Sequence, residues 1–420
     1  MKEQTTKFLG LKDPIFYEGI VGILCNQISW DFSNDSYLFE VLSRRGVLKR
    51  VFIPEHGLFG ELQDQVPLTS TTAYKNLGYE VEFISLYGDI EKSLIAEPSL
   101  LSDLDALIID LQDIGSRYYT FATTVSYIFD TLAKSETKLK VYVIDRPNPA
   151  GRQVEGTLLS KEYSSFVGHS RLPHRHGLTI GELCRFFKER SGGLFSLEII
   201  ALDNIPFLNP QKKYYTPDFG WVHQHLTLPI QPSPNIPSPV TPLVFSGQCL
   251  FEGTILSEGR GTTLPFEIFG APFLSWKYLK EIKKTLAELI KNSPLREPGA
   301  ILRPLRFIPG FHKFAGEVCQ GFQIHLTGKP YHSLAYSIMI IRLIREILGD
   351  INIWRKGIYE FRSDKAAIEL LAGDPVILDY MNGKESLDKI RELLKEGEEE
   401  WIRIAKNFLI YKEPLYRVEI

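Results

Sequence analysis

The stretch KRVFIPEHGLFG (49–60) decides how the chain is read. Its first half is a short β-branched and aromatic run of the kind that fills a buried strand, and its second half is a glycine-bearing turn carrying Glu55 and His56. Apolar runs that stop in polar residues recur in GIVGILCN (19–26), VEFISLY (81–87), DALIIDL (105–111) and VYVIDRP (141–147). Between them, residues 37–45 and 118–134 have helical spacing, with Ser36 and Ser116 near the caps, and Thr179 and Glu182 open a further helix (179–190) at capping-box spacing. Strands alternating with helices predict an α/β fold, a parallel sheet covered by helices.

From Asn204 to Pro242 the prolines of PFLNP, TPDF and PIQPSPNIPSPVTP are too dense for a regular element. The expected division is therefore 1–230, the parallel-sheet domain, and 231–420, a smaller α+β domain. The second domain should hold helices at 275–291, 331–348 and 387–408 and strand-like runs at 305–309 and 321–326. No internal repeat is present.

The totals exclude several classes. With 420 residues, 44% hydrophobic and 24% charged, the chain is ordinary globular material and long enough for two or three domains. A formal net charge of -3 leaves no positive field for nucleic acid or anionic membrane. The four cysteines, Cys25, Cys184, Cys249 and Cys319, are scattered and form neither a metal knuckle nor a disulfide framework. Lys12, Asp13 and Pro14 break the opening segment, so the protein is expected to be cytoplasmic as written, or periplasmic or secreted if a leader has been removed. Arginines break the longest apolar stretches short of a membrane span, and nothing speaks to oligomeric state.

In a doubly wound sheet, ligands bind beyond the carboxyl ends of the strands. Those ends carry Glu55 and His56; Asp110, Asp113, Arg117, Tyr118 and Tyr119; and Asp145, Arg146 and Asn148. Carboxylates gathered with cations and tyrosines are what hydrolysis of a sugar acetal requires, one group to protonate the leaving oxygen and another to serve the anomeric centre. Asp113 reads equally as a turn cap and Asp145 as a salt-bridge partner of Arg146, whereas a glutamate gains little from a glycine-flanked turn, so Glu55 is the stronger candidate. The first turn, CNQISWDFSND, lacks the glycines of a dinucleotide site, and neither a phosphate-binding loop nor a serine nucleophile elbow occurs, so no cofactor is expected. His174 with His176 and His223 with His225 lack carboxylate or cysteine partners at ligand spacing, so they read as polar cleft or surface histidines and no metal is expected. Two later stretches suit ligand contact: a stiff proline loop presenting Ser233 and Asn235, and the run from Glu252-Gly253-Thr254 through SEGRGTT (257–263), whose Glu258, Arg260 and Thr262 lie among glycines like a small-anion pocket. A rigid linker and a solvated turn are the respective alternatives.

Together with LCNQISWD, IPEHGLFGE, DLQDIGSRYYTF, DRPNPAGRQVEGTLL, RHGLTIGEL, QPSPNIPS and LFEGTILSEGRGTTLPFEIFGAP, these segments resemble the NamZ exo-β-N-acetylmuramidases, a family once catalogued only as a domain of unknown function. The resemblance implies a Rossmann-like N-terminal domain, a smaller C-terminal domain and an active cleft between them. It also implies release of N-acetylmuramic acid (MurNAc) from the non-reducing end of MurNAc-GlcNAc fragments, with Glu55 catalytic. QPSPN stands where relatives have PPSPN, and the helices after about residue 364 match loosely. On this basis Glu55 is expected as general acid/base, its pKa raised by burial or a neighbouring carboxylate, with His56 and Asp113 orienting it. Arg260, joined by Arg117 or Arg146, is expected to pair with the lactyl carboxylate; Asp110, Tyr118, Asn148, His176, Ser233, Asn235, Glu258 and Thr262 complete the expected substrate contacts. A non-catalytic muropeptide-binding protein and an amidase or esterase acting on the lactyl-peptide portion are the rival readings.

Overall fold

The computed structural model describes residues 15–32, 34–135, 137–201, 229–291 and 299–420. Six strands, β1 (Val21–Cys25), β2 (Leu48–Ile53), β3 (Glu82–Ser85), β4 (Ala106–Asp110), β5 (Lys140–Ile144) and β6 (Ser196–Ile200), form one sheet. All its pairings are parallel and its order is β3-β2-β1-β4-β5-β6, that of dinucleotide-binding sheets. Side chains alternate between faces along each strand. Leu24, Phe52, Leu107 and Ile109 pack on one side, and Ile23, Val51, Ile53 and Ile108 on the other. Helix α1 (Leu38–Arg44) covers the second side; α2 (Thr120–Ala133) and α3 (Ile180–Ser191) cover the first. A Rossmann-like sheet with helices on both faces is thus present.

β6 was not anticipated. Its sequence, SLEII, carries a glutamate, and only its last residue is buried, as suits an edge strand with little apolar signal.

The C-terminal part is smaller and mixed. Strands β7 (Ile268–Ala271), β8 (Ala300–Phe307) and β9 (Cys319–Leu326) form an antiparallel sheet ordered β7-β9-β8. Around it lie α4 (Thr241–Gln248), α5 (Trp276–Lys291), α6 (Ser333–Leu348), α7 (Ala367–Ala372), α8 (Pro375–Met381) and α9 (Leu387–Ala405). The expected proline-rich stretch closes earlier than its composition suggests, because Pro242 sits in the first turn of α4, where a missing N–H costs no hydrogen bond. Residues 202–228 of that stretch, with His223 and His225, lie outside the described residues.

Both parts share one apolar core, running from Leu24 and Phe129 through Val244 and Ile338 to Trp401 and Ile420. Among the described residues no helix is long and apolar enough to cross a membrane.

Candidate active site

Glu55 lies two residues beyond the end of β2, next to the point where the strand order reverses between β1 and β4. Its side chain is buried and accepts a 2.5 Å bond from Thr120 Oγ, the first residue of α2. The two neighbours after it, His56 (φ 74°) and Gly57 (φ 90°), take left-handed backbone, which turns the chain sharply at the strand end.

A narrow cleft opens over Glu55. From the β2 end it is lined by Glu55, His56, Asp64 and Gln65, and from the β4 end by Tyr118, Tyr119 and Thr120. The proline loop contributes Ser233, Asn235 and Ile236; α4 and the turn after it contribute Phe245 and Glu252. Arg260, Phe266, Tyr359 and Glu360 close the far wall. The proline loop is tied in place by Gln27 Nε2, which donates to the carbonyls of Gln231 and Pro232 at 2.9 Å, and by Asn235 Nδ2, which donates to Gln63 Oε1 at 3.1 Å.

Carboxylates dominate this wall, and their partners separate them. Glu252 accepts from Arg260 Nη2 at 2.6 Å and from the Tyr359 hydroxyl at 2.6 Å. Asp64 lies 3.2 Å from His312 Nε2 and 3.4 Å from Arg260 Nε. Burial would raise the Asp64 carboxyl, but the His312 bond and the Arg260 charge hold it at about 2. Burial opposes charge on His312 as well, yet Asp64 and Glu258 push it up to about 9, so it is a cation at neutrality. Glu258 lies beneath the wall and takes Lys313 Nζ at 2.8 Å and His312 Nδ1 at 3.0 Å. Its carboxyl stays well below the usual range despite burial, through those cations and Arg260.

Glu55 and Glu360 are different, because neither has a cationic partner in direct contact among the described residues. Glu360 accepts only neutral donors, Gln65 Nε2 at 2.6 Å and the Tyr87 hydroxyl at 3.3 Å. Burial, then the charges of Glu252 and Asp64, push its carboxyl up to about 7 against those two bonds. Burial and the nearby Glu360 raise Glu55 well above the carboxylate range; the Thr120 bond and the Arg260 charge oppose without reversing this. Both causes favour the protonated form of Glu55. His56, pushed down to about 4 by burial and by Arg260, is neutral there, its Nδ1 3.1 Å from the Leu62 carbonyl.

Arg260 is buried over the Phe266 ring, 5.0 Å from its centroid, and its Nη1 has no hydrogen-bond partner among the described residues. Burial works against its charge, but Glu252, Asp64 and Glu258 hold it above the usual guanidinium value.

Of the residues selected from sequence, Glu55, His56, Tyr118, Ser233, Asn235 and Arg260 line the cleft. The others are found in the framework around it. Asp113 accepts from the Gly115 backbone at 2.6 Å and lies 3.2 Å from His176 Nε2, fixing the turn that leads to Tyr118 and Thr120. Asp110 and Arg146 form a buried pair at 2.7 Å, with Ser29 Oγ on the second Asp110 oxygen. Arg117 donates to the carbonyls of Leu371 and Ala372 at the C-terminal end of α7. Asn148 bridges Ala150 N and the Leu178 carbonyl, and Thr262 bridges Leu264 N and the Gly259 carbonyl. Asp64, Gln65, Thr120, Glu252 and Glu360 were not selected; Glu252 opened a stretch already singled out, but nothing in IYEFRS (358–363) marks Glu360. Among the described residues no group of three or more His, Cys, Asp or Glu could hold a metal ion.

A buried glutamate whose carboxyl is raised, in a walled cleft with other carboxylates and a guanidinium about it, is an arrangement able to protonate the leaving oxygen of an acetal, as glycoside hydrolysis requires. Comparison with known families narrows the class. The chain belongs to the exo-β-N-acetylmuramidase NamZ family, whose N-terminal model matches residues 21–240 and whose C-terminal model matches residues 243–411. It is 32% identical over 368 residues to the peptidoglycan β-N-acetylmuramidase NamZ of Bacillus subtilis strain 168, covering 87% of this chain and 80% of that protein. Two solved structures of DUF1343 family proteins from Bacteroides fragilis share the fold. One has a TM-score of 0.73 at 23% identity, covering 98% of this chain and 97% of its own. The second has a TM-score of 0.65 at 24% identity, covering 96% and 98%.

Proposed function

We propose that the enzyme releases MurNAc from the non-reducing end of peptidoglycan fragments such as MurNAc-GlcNAc, with Glu55 as general acid/base. The observation that carries this is the burial of Glu55 at a strand end, facing a cleft and without a cation in direct contact among the described residues, which raises its carboxyl and favours the protonated form an acid needs. In this proposal residues 1–230 supply the acid and residues 231–420 complete the cleft. His56, neutral and adjacent, shapes the turn that presents Glu55, and Asp113 with His176 stiffens the loop behind it. Ser233 and Asn235 face the sugar hydroxyl or acetamido groups, and the unbonded Nη1 of Arg260 takes the lactyl carboxylate that distinguishes MurNAc from GlcNAc.

The test is incubation with MurNAc-GlcNAc and detection of free MurNAc. Glu55→Gln should abolish release while its circular dichroism and melting stay near wild type. Intact disaccharide with the wild-type protein would favour a binding protein. Release of lactate or peptide in place of MurNAc would favour an amidase or esterase.

A further inference from the structure

We infer that Glu360, held in the cleft by a strained turn, is the second catalytic carboxylate of this site, serving the anomeric carbon while Glu55 serves the leaving oxygen. The inference rests on the muramidase reading and adds a residue to it.

The backbone is the first observation. Tyr359 and Arg362 exchange both backbone bonds, at 3.0 and 2.9 Å, around a two-residue turn whose central residues, Glu360 (φ 45°) and Phe361 (φ 65°), are both left-handed. That geometry ordinarily calls for Asn-Gly, and a glutamate followed by a phenylalanine is held there against its preference. The turn is fixed from outside. Arg362 Nη1 donates to the Ser164 carbonyl at 2.5 Å, and the Phe361 ring stands edge-on to Tyr87. Such strain persists where surrounding structure over-determines it, typically at functional sites. Here it projects one carboxylate into the cleft.

Elimination is the second. Of the acids on or under the cleft wall, Glu252, Asp64 and Glu258 are each engaged by Arg260, His312 or Lys313, so their charge is spent on the wall. Among the described residues Glu360 receives only Gln65 and Tyr87. With Glu55 it makes a pair of buried carboxyls on one cleft, both raised by burial, and the charge of Glu360 raises Glu55 further, so that ionising one favours the proton on the other.

In the reaction Glu55 passes its proton to the bridging oxygen, the electron pair of the C1–O bond leaves with that oxygen, and the ionised Glu360 meets the positive charge developing at C1. One water then adds at C1, and its proton returns the pair to its singly protonated state.

Wild type and Glu360→Gln are compared on MurNAc-GlcNAc and on the nitrophenyl glycoside of MurNAc. Loss of a leaving-group acid is lessened by a good leaving group, whereas loss of the group serving C1 is not. The expected result is a fall of at least about a hundredfold in kcat/KM on both substrates. The titratable and charged groups facing Glu360 are Glu55, in its protonated form, Asp64, Glu252 and Arg260, with the Tyr87 hydroxyl beside it. Because activity needs Glu360 ionised, wild-type kcat/KM should decline on the acid side near neutrality. Gln65→Leu, which removes a bond favouring the ionised form, should move that decline to higher pH. Glu360→Gln activity within about tenfold of wild type on either substrate, or an unmoved acid limb in Gln65→Leu, overturns the assignment. A wild type inactive on both substrates sinks the muramidase reading itself.

Discussion

Arg260 illustrates how one side chain can be both wall and reader. Three acids, Glu252, Asp64 and Glu258, fix its charge, and Phe266 supports its plane, yet Nη1 stays unbonded. A buried guanidinium donor without a partner is costly unless a ligand completes it, and a planar fork suits a carboxylate. Arg260→Ala would take a cation from those three acids and confuse stability with recognition. Arg260→Lys keeps the charge and removes the fork. It should lower kcat/KM for MurNAc glycosides by about tenfold, roughly 1.4 kcal/mol, while GlcNAc glycosides change little. Equal losses on the two sugars in a paired kinetic assay would remove Arg260 from the lactyl group.

At the scale of elements, Thr179 and Glu182 are where sequence and structure agree most closely. Thr179 Oγ accepts from Glu182 N at 3.2 Å, Glu182 returns a bond to Thr179 N at 3.0 Å, and Gly192 closes α3 in left-handed backbone. The same hydroxyl donates to Asp145 at 2.9 Å, and Gly181 N adds a bond at 2.8 Å, so the helix start is fastened to the end of β5. Thr179→Ala should cost about 1–2 kcal/mol, read as a lower urea midpoint at unchanged slope; a shift under about 0.3 kcal/mol would mean that Gly181 and Tyr411 hold Asp145 without it. Local signals of this kind, caps, glycines and buried apolar runs, made five of the six parallel strands and the presentation of Glu55 legible. Glu360 was not legible, because its turn contains no turn-forming residue and is imposed by Tyr87 and Ser164, distant in sequence. Asp113 and Asp110 look chemical as sequence, but their oxygens bond to Gly115, Arg146 and Ser29, which spacing does not foretell.

The two parts of the molecule are joined by buried charge as well as by their common core. Glu155, close after β5, accepts from Ser246 Oγ at 2.8 Å, from Leu334 N at 3.0 Å and from Arg175 Nη1 at 2.9 Å. His332, the N-cap of α6, stands 3.6 Å from Glu155 and 2.7 Å from Glu398 of α9, and Arg417 reaches Glu398 at 3.2 Å. Burial opposes a charge on His332, but the two carboxylates raise its pKa above the ordinary 6.5. The folded state therefore binds this proton more tightly than the unfolded chain. Its contribution to stability is fully present below the unfolded value of 6.5 and is lost as pH rises through the higher folded value. His332→Gln leaves Glu155 facing Arg175 and Glu398 facing Arg417 without the bridging cation, a loss of about 3–5 kcal/mol below neutrality on the scale of a broken buried pair. The difference between wild type and variant should narrow as pH rises above neutrality. Urea midpoints at several pH values check this, and a difference that stays constant or widens with pH would show that His332 is held neutral. Because Glu155 and His332 belong to opposite parts, the variant should weaken both together, so far-ultraviolet dichroism and the summed fluorescence of the five tryptophans, among them Trp401, whose indole bonds the His176 carbonyl across the same junction, should report one shared transition.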